Sequence, residues 1–339
     1  MKHRLPLLAL LLLLAAACSA PNEPTLLQGE AQGTFYTIAY CDKQHRDLRP
    51  QIDSLLHAFD LTASLWEENS LIRQANLHQP THVNSTFCHL LNNSLQMEQY
   101  TQGAFNCKIG ALVNLYGFGF ENRSDITDVQ VDSLLRLIHQ GQCTLTLDAD
   151  SLPTVILSPG VQLDFNAIAQ GYSVDLLAAL FDSLDVTDYL IDVGGEVRAK
   201  GSKPDGTPWA VGIERPAQNK YSAQEIETAI ALTNRSVVTS GNYRKYYEQD
   251  GVRYSHTIDP ATGRPVSHSL LSASVVSAEA WYADAMATAF MVMGLEKSLQ
   301  FIEQHPDDPD IQAVYFIYDE HGEYKTFATP KFQEIIKEI

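Results

Sequence analysis

Val161-Gln162-Leu163-Asp164-Phe165-Asn166-Ala167-Ile168-Ala169-Gln170-Gly171-Tyr172 is the stretch on which the fold turns. Its first half reads as a strand over 161–165, and its second half opens a helix predicted over 167–181. Outward from it, strands are predicted at 154–157 and 188–193, then at 208–213, 228–233, 271–277 and 312–318. Residues 34–40 alternate in the same way near the start of the chain. A helix is predicted over 48–60, where Ile52, Leu55, Leu56 and Phe59 fall at i, i+3, i+4 and i+7. Two more are predicted over 128–139 and 279–293. Strand and helix do not alternate strictly, so a doubly wound parallel sheet is not indicated. The expected class is α+β, with mixed, largely antiparallel sheets and packed helices.

The chain has 339 residues, 45% of them hydrophobic, which is ample for a packed core. Its 23 basic and 41 acidic residues leave a net charge of −18. No basic stretch is present to displace the counterions of a polyanion, which argues against a nucleic-acid partner. A phosphorylated ligand would need a divalent cation between itself and so acidic a protein.

Lys2 and Arg4 form a short basic head before an apolar run from Leu5 to Leu14, broken by Pro6. That run is shorter than the roughly 20 residues that cross a bilayer, so residues 1–17 read as a cleaved signal peptide. Ala15-Ala16-Ala17 leads directly into Cys18, which resembles the lipobox of bacterial lipoproteins. The Cys18 thiol would then carry the lipid, residues 18–30 would be a polar, Pro-containing tether, and residues 31–339 the working domain. The expected location is the bacterial cell envelope, anchored to a membrane. Cys41, Cys88, Cys107 and Cys143 show no Cys-x-x-Cys spacing; free thiols and all three pairings stay open.

Signatures of dinucleotide dehydrogenases, P-loop enzymes, zincins and α/β-hydrolases are absent. What remains is a series of short polar and glycine-containing clusters. Asp284 and Thr288 lie four apart in a helical stretch, placing a carboxylate and a hydroxyl on one face. Two hard oxygen donors so placed suit Mg²⁺, and they equally suit a plain polar face. The helix start near Asn166 offers unpaired N–H groups to a phosphate, unless Asp164 or Asn166 merely caps it. Asp192-Val193-Gly194-Gly195-Glu196 and Thr239-Ser240-Gly241 read as turns able to approach a ligand. His256, just before a Pro260-Ala261-Thr262-Gly263 turn, is either a phosphate-facing acid or base or a structural histidine.

Taken in order, these clusters resemble the ApbE family, the FAD:protein FMN transferases of bacterial envelopes. The matching stretches begin with Gly33-Thr34-Phe35-Tyr36, Ser64-Leu65-Trp66, Ser70-Leu71 and Asn76. They continue with Gly103-Ala104-Phe105-Asn106, Leu115-Tyr116-Gly117-Phe118, and Leu163-Asp164 through Gln170-Gly171-Tyr172-Ser173-Val174-Asp175. The C-terminal half adds Asp192 to Glu196, Trp209 to Ile213, Thr239-Ser240-Gly241, His256 to Gly263 and Ala283 to Thr288.

The resemblance implies a T-fold-like architecture and a chemistry. Such enzymes split the pyrophosphate of FAD and attach FMN through a phosphoester to a Thr or Ser hydroxyl of a partner, releasing AMP. Partners of that kind are flavoprotein subunits of membrane redox complexes and extracytoplasmic reductases. The resemblance assigns Mg²⁺ to Asp284, Thr288 and the carbonyl of Ala167. Flavin or nucleotide contacts fall to Gln32, Trp66, Ala104, Phe105, Asn106, Asp164, Gln170 and Ile258. His256 would face the diphosphate, and Asp284 and His256 are the catalytic candidates. Two departures stand out: Asn106-Cys107-Lys108 replaces the usual Asp-Pro-Thr, and Gln170 replaces the frequent Lys of Ala-Lys-Gly. A D-G-x-T-G-A-T acceptor motif is absent, so the chain resembles the donor enzyme. Hydrolysis of FAD to FMN and AMP, or FAD binding without catalysis, are the competing expectations.

Overall fold

A computed structural model describes residues 23–118, 126–216, 225–242, 246–249 and 252–337. Its centre is an eight-stranded sheet whose neighbouring strands all run antiparallel. In spatial order the strands are Thr25–Ala31, Thr34–Cys41, Asp188–Val193, Glu196–Lys200, Arg235–Gly241, Leu270–Ser277, Ala313–Glu320 and Glu323–Ala328. The α+β, largely antiparallel expectation therefore holds.

Strand alternation sorts the core into two layers. Tyr36, Ile38, Tyr40, Ile191, Val193, Val238 and Val275 face the helices Ala169–Ser183 and Ala280–Gln304. Their neighbours Val197, Val237, Val276 and Ile317 face the other way, onto Trp209, Ile213, Ile230 and Leu232 of a three-stranded sheet. A second three-stranded sheet joins Thr81–His82, Pro153–Leu157 and Cys143–Leu147. It shares the first layer with the helices Arg49–Ala63 and Ser85–Tyr100. Among the described residues no helix is long and apolar enough to cross a membrane.

Five sequence expectations need correction. Thr239-Ser240-Gly241, read as a turn, ends the strand Arg235–Gly241 and pairs with Ser272–Ser274. Residues 161–165 are extended but form no strand; Gln162 makes a lone bridge to Ile109. The Asn76 side chain explains this, because its amide donates to the Leu163 carbonyl at 2.9 Å and accepts the Leu163 N–H at 2.7 Å. One side chain thus satisfies the groups that a ladder partner would have taken. The helix begins at Ala169, after a turn over 166–168, and no side chain caps it. Asp164 instead caps that turn, accepting the Asn166 N–H at 2.8 Å. Residues 25–30, expected in the tether, belong to the edge strand paired with Thr34–Cys41. The helix expected over 279–293 runs on to Gln304 through a break at Gly294, where φ is 76°. The Met291 carbonyl freed near that break lies 2.8 Å from His268 Nε2.

Cys41, Cys88, Cys107 and Cys143 are free thiols. Cys18 and the leader lie outside the described residues.

Candidate functional site

The site is built where two helices of the first layer touch. A Cβ at Gly171 would sit 2.4 Å from the Ala280 carbonyl oxygen and 2.9 Å from Asp284 Cβ, so only glycine permits this approach. The closeness lets the Gly171 N–H donate to Asp284 Oδ2 at 3.0 Å. Asp284 is only 4% exposed, and burial pushes its carboxyl up to about 7. The negative Asp175 adds to that rise, while the Gly171 N–H opposes it. One turn further on, Thr288 Oγ1 lies 3.3 Å from Ser240 Oγ on the strand Arg235–Gly241. Ala167 stands in the 166–168 turn that leads into the Gly171 helix.

This donor set fits a hard divalent cation. A buried carboxylate with one N–H donor among the described residues is under-compensated, and the Thr288 hydroxyl lies a turn away with the Ser240 hydroxyl beside it. Among the described residues no three His, Cys, Asp or Glu side chains cluster so as to hold a metal. A cation here would therefore rest on one carboxylate and neutral oxygens, with positions left for phosphate.

Gln170 connects this centre to the sheet. Gly194, at φ 65°, lies so close that a Cβ there would come 2.2 Å from Gln170 Nε2 and 2.8 Å from Thr34 Cγ2. The Gly194-Gly195 turn thus brings Gln170 against the hairpin Gln32-Gly33-Thr34, with Asp192 Oδ1 holding the Gly195 N–H at 2.9 Å. Gln32 itself has a positive φ of 53° at the hairpin tip. Its side-chain Nε2 is buried and has no hydrogen-bond partner among the described residues, which leaves a donor for a ligand.

Asp164 is buried, which raises its carboxyl, and its N–H donates to the Cys107 carbonyl at 2.8 Å. That bond ties the Gly103–Lys108 loop to the turn before the Gly171 helix. Asn106 and Lys108, which both belong to the first of the departures from the family pattern, meet at one carboxylate. Asn106 Nδ2 donates to Glu98 Oε1 at 3.1 Å, and Lys108 Nζ lies 3.0 Å from the same oxygen. The Lys108 charge is thereby matched by Glu98 of the helix Ser85–Tyr100. Ala104 is partly buried, and Phe105 is fully in the core, so Phe105 can offer a ligand only its main chain.

The same limit applies to Ile258, whose side chain packs with Leu112, Tyr116, Val131 and Ile138. Trp66 is the opposite case: 59% exposed, its ring is free to take a stacked partner. His256 is partly buried with its ring edge-on to Phe118 at 6.3 Å. In the turn beyond it, Asp259 accepts the Ala261 N–H at 2.8 Å and the Thr262 hydroxyl at 3.1 Å. A cleft of about 490 Å³ runs between this turn and the Asn106 loop, lined by Glu98, Gly103, Asn106, His139, Pro260 and Ala261.

The structure brings Asp284, Thr288, Gly171 and Ser240 into one group, and joins it through Gln170 to Gly194 and Thr34. Asp164 and Asn106 are linked through Cys107. Trp66 and His256 come from separate segments, after the helix Arg49–Ala63 and the strand Val252–Ser255. Sequence reasoning placed Asn76, Asp175 and Ser240 inside matching stretches but assigned none of them a contact of its own. The signal for Asp175 was its position one helical turn after Gly171.

A fold and a site of this kind define a family, and the chain belongs to it: the ApbE family model matches residues 32–314. An FAD:protein FMN transferase of Vibrio cholerae is 34% identical, over 99% of this chain and 99% of the relative. The Escherichia coli K12 protein of the same name is 32% identical, over 93% of this chain and 90% of its own. The solved flavin transferase ApbE from Vibrio cholerae superposes with a TM-score of 0.78 at 32% identity, covering 92% of this chain and 99% of that one.

Proposed function

We propose that this protein transfers FMN from FAD to a Thr or Ser hydroxyl of a partner flavoprotein. The observation that carries the reading is the buried Asp284, held by Gly171 with Thr288 one turn away, in a chain similar along its length to FAD:protein FMN transferases. Asp284, Thr288 and the Ala167 carbonyl are the residues that would hold Mg²⁺. When bound there, the ion neutralises pyrophosphate charge and polarises the phosphorus under attack.

The chain's own residues do the rest. The exposed Trp66 ring stacks on the dinucleotide, and the amides of Gln32 and Gln170 meet its polar edge. Ala104, Phe105 and Ile258 contribute main-chain groups, while Asn106 and Asp164 set the loop that carries the first two. The acceptor hydroxyl oxygen forms a bond to the FMN phosphorus as the P–O–P bridge breaks. Its proton goes to His256, which faces the diphosphate, and AMP leaves with the bridging oxygen and its electron pair.

The working location is the bacterial envelope, with Cys18 carrying the lipid anchor and the partner a flavoprotein subunit of a membrane redox complex or an extracytoplasmic reductase. One incubation tests the reading: protein, FAD, Mg²⁺ and an acceptor domain. Flavin fluorescence bound covalently to the acceptor is the expected result. Free FMN alone would replace transfer by hydrolysis, and neither product would leave an FAD-binding lipoprotein.

A further inference from the structure

We propose that Asp175 is a positioning residue that fixes the start of the Asp284–Thr288 helix, and with it the cation site; this rests on the metal reading above. The helix Ala280–Gln304 has no cap from its own N-cap residue, because the Glu279 carboxylate accepts the Trp281 indole N–H at 2.7 Å. Its first free N–H groups are taken across the helix contact. Asp175 Oδ1 accepts the Ala280 N–H at 3.0 Å, and Oδ2 accepts the Trp281 N–H at 2.9 Å.

Arg198, from the strand Glu196–Lys200, locks this cap to the sheet. Its Nη1 lies 2.9 Å from Asp175 Oδ1 and donates to the Ala278 carbonyl at 2.6 Å, in the chain leading into the helix. Gly171 and Asp175 are one turn apart on their helix, and Ala280 and Asp284 are one turn apart on the other. The two helices are therefore pinned at two successive rungs. The upper rung is the Gly171–Asp284 bond; the lower rung, through Asp175, sets where the helix begins and so where Asp284 and Thr288 stand.

The test is a calorimetric titration of Mg²⁺ into the full-length, FAD-loaded protein, with transfer kinetics across the same Mg²⁺ range. Asp175→Ala is expected to weaken Mg²⁺ binding by about 10–100-fold. Its maximal rate at saturating Mg²⁺ should fall much less than its Mg²⁺ affinity. Asp175→Asn, which keeps an acceptor oxygen, is expected to lie between wild type and Asp175→Ala, and serves alone if the alanine variant does not fold. Glu279→Asp in the Asp175→Ala background supplies a local cap and should restore affinity. If Asp284→Ala abolishes Mg²⁺ binding while Asp175→Ala and Asp175→Asn leave it unchanged, the positioning role is overturned and the metal reading stands. If Asp284→Ala itself leaves Mg²⁺ binding unchanged, both fall together.

Discussion

The Gly171 N–H reaches Asp284 Oδ2 at 3.0 Å across a helix contact too tight for any Cβ at position 171. One main-chain donor is modest compensation for a carboxylate taken out of water. Asp284 is consequently a group whose charge depends on what else occupies its surroundings.

That dependence has a definite sign. Burial raises the Asp284 carboxyl to about 7 in the folded protein, against an ordinary value of roughly 4 for an unfolded chain. Between those limits the native state holds a proton that the unfolded state has released, so metal-free stability falls as pH rises from about 4 to 7. Asp284→Asn removes this component; Asp175, raised to about 6, leaves a remaining slope at lower pH. Urea unfolding in EDTA at a series of pH values should show the wild type losing ground to Asp284→Asn toward pH 7. Parallel stability curves would contradict it. Mg²⁺ affinity should in turn weaken by about tenfold per pH unit below 7, as proton and cation compete.

Asp284→Ala removes the charge on which the cation site rests. Transfer to an acceptor domain should drop by on the order of a hundredfold or more. Thr288→Ala should be milder, since water can replace a neutral ligand. Circular dichroism controls for folding. A folded Asp284→Ala protein with wild-type rate and Mg²⁺ dependence would end the metal assignment.

Gly171→Ala forces a methyl group against the Ala280 carbonyl and Asp284 Cβ. Overpacking of this kind costs about 1–3 kcal/mol. Thermal unfolding should register the loss, and Mg²⁺ dependence should shift with it, because the helix carrying Asp284 must move away. An unchanged melting temperature would show that the contact is looser than described.

Trp66→Ala should behave in the opposite manner. The ring is 59% exposed, so stability should change by no more than about 0.5 kcal/mol. If the ring stacks on the dinucleotide, FAD affinity should fall by roughly tenfold or more. Fluorescence titration with FAD measures it, and equal affinity of variant and wild type would remove Trp66 from the site.

Cys18→Ala tests the anchor. The variant is expected in the soluble fraction while still flavinylating a soluble acceptor at the wild-type rate. Retention in membranes would overturn the lipoprotein reading.

Much of this was legible in the sequence where a local pattern decided the matter. Ile52, Leu56 and Phe59 are buried on one face of Arg49–Ala63, as their spacing required. Asp284 and Thr288 do fall a turn apart on one helix. Non-local partners were not legible. Nothing in 161–165 indicates that the Asn76 amide would stand in for a neighbouring strand. The edge strand Thr25–Ala31 buries little beyond Leu27, so its polar composition resembled a tether. Phe105 and Ile258 read as contact residues because motifs list positions, whereas burial decides whether a side chain or only its backbone is offered.

The sheet places Thr34–Cys41 directly beside Asp188–Val193, so the roughly 150 residues between them are an excursion bounded by two neighbouring strands. Closing a loop of that length costs about 4 kcal/mol of chain entropy, and the Gln32 hairpin cannot meet Gln170 and Gly194 until it is closed. Neither the excursion nor the strands that bound it therefore own the ligand site alone. Ligand affinity becomes a property of the whole domain: FAD at a hundredfold excess over its dissociation constant should add about 2.7 kcal/mol to global unfolding, and a single cooperative transition should move as one.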